Sequence, residues 1–132
     1  MRIITGKAKG IKLVTLEGDA TRPTSERAKE AIFSAIQFEV EGRRVLDLFA
    51  GSGALGIESL SRYANSCVFT DANPKAIDVV KANLKKTPFS DRAKVIMTDA
   101  LTFLKKTDDK FDIIFLDPPY AAGLYEEVFK VI

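Results

Sequence analysis

VLDLFAGSGALGIE, residues 45–58, decides the fold. A short apolar run leads into Gly51, Gly53 and Gly56, spaced G-x-G-x-x-G, and helical periodicity starts beside them. In a strand–turn–helix context such glycines serve a nucleotide or nucleoside ligand. One permits a tight turn, one lets the ligand approach the backbone, and one lets the helix lie close to the strand. Downstream, further apolar runs follow: CVFTD (67–71), AKVIMTD (93–99) and FDIIFLD (111–117). They alternate with helical stretches at about 54–64, 74–86 and 100–106. Nearly continuous apolar strands separated by helices predict an α/β fold, a Rossmann-like, mainly parallel sheet with helices on both faces. Asp71, Asp99 and Asp117 close three of the strands, and Asp47 lies near the end of the first. Open parallel sheets bind ligands outside the carboxyl ends of their strands, so all four acids are expected on one rim.

Upstream, RIIT and IKLVTL flank Gly6-Lys-Ala-Lys-Gly10 and predict a β-hairpin with a basic tip. A loop is expected at 17–24. A helix is expected from Ser25, with Thr24 or Ser25 as N-cap, Gly42 beyond its end, and Ala28, Ala31, Ile32, Ala35 and Ile36 at helical spacings. The predicted organisation is a basic hairpin extension, 1–20, followed by an α/β domain, 21–132. The strand at 111–117 is expected near a sheet edge, which invites self-association unless further chain covers it.

A chain of 132 residues with 46% hydrophobic and 29% charged residues is sized for one globular domain. It has no His, which excludes imidazole-based triads and imidazole metal ligands, and no metal site is expected. One Cys allows no internal disulfide, and Cys67 in SCVFT reads as core. No apolar run is long enough to span a bilayer, and the N-terminus lacks the apolar core of a signal peptide; a soluble, cytoplasmic protein without membrane partners is expected. The net charge is +2, yet residues 1–16 carry Arg2, Lys7, Lys9 and Lys12 with no acid. That arm suits a polyanionic partner, and it suits an ordinary solvated loop equally well on charge alone.

Two ligand classes fit the glycine loop. A dinucleotide would set its pyrophosphate on the helix N-terminus, with Asp71 on the ribose. Asp47 would then add negative charge beside the phosphates. S-adenosylmethionine has no phosphate and carries a sulfonium and an ammonium group, so Asp47 favours it. Asp71 would accept the ribose hydroxyls, and Asp99 would sit by the adenine amine.

Asp117-Pro118-Pro119-Tyr120 is the sharpest chemical signal. Two prolines after a strand stop the ladder and stiffen the loop. The Asp117 carboxylate and the Pro118 carbonyl can hold the two N–H groups of an exocyclic base amine. This favours a tetrahedral nitrogen and stabilises the positive charge that grows there. The Tyr120 ring gives the base a stacking face, worth about 1–3 kcal/mol in comparable sites. A plain strand exit with Tyr120 packed as a lid is the structural alternative.

In this order, DLFAGSGALGIE, Asp71, Asp99 and DPPY resemble class I adenosylmethionine-dependent amino methyltransferases. RIITGKAKGIKL and RPTSERAKEAIFSAI narrow the resemblance to the bacterial small-subunit rRNA guanine-N2 methyltransferases, the RsmD family, over essentially the whole chain. The resemblance makes 21–132 a methyltransferase domain and implies methylation of a guanine N2 in 16S rRNA, on a partly assembled small ribosomal subunit. It places Asp47, Gly51 and Gly53 at the methionine moiety, Asp71 at the ribose and Asp99 at the adenine, with Phe49, Ala72 and Ala100 beside them. It places Asp117, Pro118, Pro119 and Tyr120 at the target amine, Asp117 also touching the cofactor. Arg22, with Pro23 and Thr24, matches the family motif beside the active site; Lys7, Lys9 and Lys12 would meet RNA phosphates. The sequence departs from the family pattern at Asn73, where a charged residue is more usual. Family members also continue with strands that complete a seven-stranded sheet, so the resemblance implies C-terminal strands beyond Ile132. DNA adenine-N6 or cytosine-N4 methylation, or a non-catalytic cofactor- or RNA-binding module, are the alternatives.

Overall fold

A computed structural model describes residues 1–15 and 26–116. Its elements run α1 (Glu26–Ala35), β1 (Arg44–Asp47), α2 (Ala54–Ser61), β2 (Ser66–Asp71), α3 (Pro74–Lys85), a 3-10 turn (Ser90–Arg92), β3 (Ala93–Met97), α4 (Ala100–Lys106) and β4 (Ile113–Phe115). The alternation predicted from 45 onward is present, with β1, β3 and β4 shorter than their apolar runs. The strands form one parallel sheet in the order β3-β2-β1-β4. The chain moves outward from β1 to β3 and then returns to the other side of β1. The order therefore reverses between β1 and β4, the place where open α/β sheets hold ligands. β4 has β1 on one side and, among the described residues, no strand on the other.

Alternation along β1 feeds two cores. Val45 joins Phe33, Ile57, Phe69, Val80 and Phe89 on one face, whereas Leu46 and Leu48 pack with Ala100 and Phe103 under α4 on the other. Cys67 is buried in the first core, as its setting predicted. Local chemistry starts the helices: Asn73 Oδ1 accepts the Lys75 N–H ahead of Pro74 at the first helical position, and Asp99 caps α4. No helix among the described residues is long and apolar enough to cross a membrane.

Two expectations at the N-terminus need correction. Residues 2–5 and 11–15 run antiparallel, yet they form a single bridge, Arg2 to Lys12, rather than two strands. The inward amides pair across the arm around that bridge, Ile3 N–H to the Ile11 carbonyl (2.9 Å) and Leu13 N–H to the Met1 carbonyl (2.7 Å), while the outward side is tied to the body. The N–H groups of Ile4 and Thr5 go to the Glu58 carboxylate, and that of Val14 goes to Asn83. The arm lies flat on the body, with Ile3, Ala8 and Leu13 in the main core.

The second correction concerns α1. Its inward residues are Lys29 and Phe33, while Ala28, Ala31, Ile32 and Ala35 lie on the exposed side and Ile36 is half-buried. Lys29 is drawn in by charge: its Nζ lies 3.0 Å from Glu58 Oε1 and donates to the Arg2 carbonyl (2.8 Å). Phe33, one turn on, packs its ring 5.6 Å from that of Phe115. The expected N-cap, the 17–24 loop and everything from Asp117 onward lie outside the described residues.

Candidate cofactor site and nucleic-acid interface

The glycine loop closes the carboxyl end of β1. Gly51 (φ 57°) and Gly53 (φ 82°) both adopt left-handed backbone, which costs an L side chain roughly 1–2 kcal/mol. A Cβ at Gly51 would meet open space. Gly56 is the packing glycine. A Cβ there would lie 2.3 Å from the Phe69 ring and 2.7 Å from Cys67 Sγ, so only glycine lets α2 lie on β2.

The acids of the rim occupy different environments. Asp47 is 2% exposed, and its Oδ2 accepts the Gly56 N–H (3.0 Å) in the first turn of α2. It thus satisfies one of the amides that a helix N-terminus leaves open and adds a negative charge there. Burial first, and then the charge of Asp47, push the Cys67 thiol well up, so it stays protonated. Asp71, half-buried at the end of β2, accepts the Gly51 N–H on Oδ2 (2.9 Å) and the Asn73 N–H on Oδ1 (2.9 Å). It binds the glycine loop to the neighbouring strand and holds its carboxylate edge at the rim.

Asp99 is exposed at the start of α4. The Thr102 hydroxyl (2.6 Å) and then the Thr102 amide (2.8 Å) hold its carboxyl below the usual carboxylate range. Phe49 is half-buried, Ala72 exposed and Ala100 buried. The loop and the ends of β1, β2 and β3 thus bring Asp47, Gly51, Gly53, Asp71 and Asp99 to one edge of the sheet. The described chain leaves β4 at the same edge, one residue past Phe115. Asp117, Pro118, Pro119 and Tyr120, like Arg22, Pro23 and Thr24, lie outside the described residues.

These residues suit an adenosylmethionine. Open space above Gly51 leaves room for a ligand against the backbone, and Asp71 and Asp99 retain acceptor capacity for ribose hydroxyls and an amine. Asp47 has taken the Gly56 amide and its charge opposes a second anion at α2, which disfavours a pyrophosphate.

The arm presents a basic surface. Lys7, Lys9 and Lys12 are all exposed, and the backbone between them is anchored. Lys7 N–H donates to the Ser61 carbonyl (2.9 Å), and Ala8 N–H to Ser61 Oγ (3.0 Å). Ser61 Oγ in turn donates to the Thr5 carbonyl (2.6 Å). Gly6 (φ 95°) makes this approach possible: a Cβ would stand 1.8 Å from the Ser61 carbonyl oxygen. Glu58 anchors the outgoing segment, receiving Ile4 and Thr5 amides and pairing with Lys29 and with Arg62 Nε (2.9 Å).

Sequence reasoning missed Glu58, Lys29, Ser61 and Asn83. Glu58 and Arg62 had a faint signal in their i,i+4 spacing. Asn83 had a better one: it interrupts the apolar stripe Ala76, Ile77, Val80, Leu84 of α3, where an amide needs a buried partner.

The family model described as "Conserved hypothetical protein 95" matches residues 1–132. YlbH of Bacillus subtilis is 48% identical over 123 residues, covering 91% of this chain and 67% of the relative. Ribosomal RNA small subunit methyltransferase D of Escherichia coli K12 is 35% identical over 132 residues, 100% of this chain and 66% of the relative. Among solved structures, the Escherichia coli yhhF protein superposes with a TM-score of 0.88 at 35% identity, covering 99% of this chain and 72% of that one. The chain thus spans about two thirds of the length of these relatives. With a whole-chain family match, this sheet order and this glycine loop, the chain belongs to the RsmD family of methyltransferases.

Proposed function

We propose that the protein transfers a methyl group from S-adenosylmethionine to the exocyclic N2 amine of a guanine in 16S rRNA, acting on a partly assembled small subunit. The observation that carries the cofactor half is the Gly51–Asp71 hydrogen bond: it joins a loop with two left-handed glycines to a carboxylate at the end of the next strand, at the rim where the strand order reverses. Bound there, adenosylmethionine supplies an electrophilic methyl on sulfur. Gly51 and Gly53 give its methionine end access to backbone, with Phe49 beside them. Asp71, next to Ala72, receives the ribose hydroxyls. Asp99, next to Ala100, accepts from the adenine amine. Asp47 keeps the loop in place by holding α2 from below.

The substrate half rests on sequence and family. Asp117 and the Pro118 carbonyl accept the two N–H groups of the guanine amine, Pro119 stiffens the turn and Tyr120 stacks on the base. Lys7, Lys9 and Lys12, with Arg22, hold phosphates in a salt-sensitive, sequence-blind manner. The ribosomal RNA names of the relatives support the substrate class.

A label-transfer assay tests the whole reading. With labelled adenosylmethionine, immature small subunits should acquire N2-methylguanine, and Asp117→Ala should abolish transfer while sparing cofactor binding. Label entering duplex DNA alone would overturn the RNA reading.

A further inference from the structure

We propose that Asn83 is a positioning residue that couples the basic arm to the glycine loop, so that RNA seated on the arm and donor bound at the loop strengthen one another. The inference rests on the function proposed above. Asn83 is fully buried on α3, and its amide is used completely on the donor side. Nδ2 donates to the Val14 carbonyl (2.9 Å) and to the Ser52 carbonyl (2.9 Å), while Oδ1 accepts the Val14 N–H (2.8 Å). The partners fix the orientation of the amide: an N–H needs Oδ1, and two carbonyls need Nδ2.

Ser52 lies between Gly51 and Gly53, the two left-handed residues of the loop. Val14 lies two residues beyond Lys12, whose carbonyl receives Lys86 Nζ (3.2 Å) from the end of the same helix. One planar group therefore holds the returning half of the arm and the centre of the cofactor loop. Displacing Val14 turns the amide and withdraws its donor from Ser52. Immobilising Lys12 on a phosphate fixes Val14, which fixes the loop in the shape that receives the donor. A second ligand that meets an ordered site loses less entropy, and the coupling is equal in both directions.

The probe is labelled S-adenosylhomocysteine, which cannot react, titrated against the full chain with and without saturating immature small subunits. Wild-type affinity should rise by roughly fivefold or more with subunits present, the low end of ordinary site-to-site coupling. Asn83→Asp keeps the acceptor for Val14 and removes both donors; it should cut this gain to within about twofold. Equal gains in wild type and variant, or no gain in a wild type that binds both ligands, would overturn the proposal. A wild type that binds no S-adenosylhomocysteine would instead overturn the cofactor reading. If the variant does not fold, hydrogen exchange in the wild type decides: subunits alone should slow exchange at Gly51–Ala54, and unchanged exchange there refutes the coupling.

Discussion

The two ends of α2 are held by opposite means. At its start, Gly53 and Gly56 admit close contact, and packing is largely apolar: Gly56 lies against Phe69 and Cys67, while Asp47 holds a backbone amide. At its finish, Glu58, Ser61 and Arg62 gather the arm and α1 through buried charge and hydrogen bonds. The first arrangement shapes the glycine loop, the surface proposed above for the cofactor. The second secures a segment whose own buried apolar residues are few, Ile3, Ala8 and Leu13, against loss of its lysine-bearing backbone to solvent. Buried ion pairs are poor sources of net stability but severe when half-broken, so the two ends should fail differently.

The largest effect should come from Glu58→Gln, which leaves the fully buried Lys29 ammonium without its counter-charge. A loss of about 3–5 kcal/mol is expected, seen as a fall in Tm of roughly 10 °C or more. Gly56→Ala should cost about 1–3 kcal/mol through overpacking against Phe69, and it should weaken cofactor binding while amide exchange in the arm stays slow. Gly6→Ala should do the converse: roughly 1–3 kcal/mol from strain and the approach to Ser61, with fast exchange at Lys7 and Ala8 and, because Asn83 holds the loop through Val14 in the other half of the arm, cofactor affinity without RNA unchanged. If Gly6→Ala and Gly56→Ala disturb arm and loop equally, the two ends are not separate devices.

A smaller effect concerns pH. The Arg44 amide and then its side chain hold the Asp112 carboxyl below the usual range, linking β1 to the approach to β4. A depressed carboxylate stabilises the fold fully above the unfolded value, about 3.9, and the contribution disappears as pH falls through the folded value. Asp112→Asn should therefore lower stability modestly at neutral pH, where the contribution is fully present, and change little at low pH, where the wild type has already lost it, so the acid limb of the profile flattens.

Much of the body is legible because its signals are local. Apolar runs mark the four strands, and the glycine spacing locates the turn that takes positive φ at Gly51 and Gly53. The arm is legible only in its charge and its turn at Gly6–Gly10. Its outward backbone donors go to Glu58, 54 positions away from Ile4, and to Asn83, 69 away from Val14, and no local pattern reports such partners. The inward face of α1 escapes sequence reading for the same reason. A lysine looks exposed by type, and Lys29 turns inward only because Glu58 waits there. Periodicity placed Asp71 and Asp99 on one rim, but the burial of Asp47 beneath α2 required the helix to be seen in place.

The central claim is that the edge formed by Gly51, Asp71 and Asp99 receives adenosylmethionine. Calorimetric titration of the full chain with adenosylmethionine, beside Asp71→Ala and with a nicotinamide dinucleotide as control, tests it most directly. One site per chain is expected, with affinity falling roughly 10- to 100-fold in Asp71→Ala, as for lost hydrogen bonds to a charged group, and no heat from the dinucleotide. Binding of the dinucleotide in its place, or equal adenosylmethionine affinity in wild type and Asp71→Ala, would contradict the account.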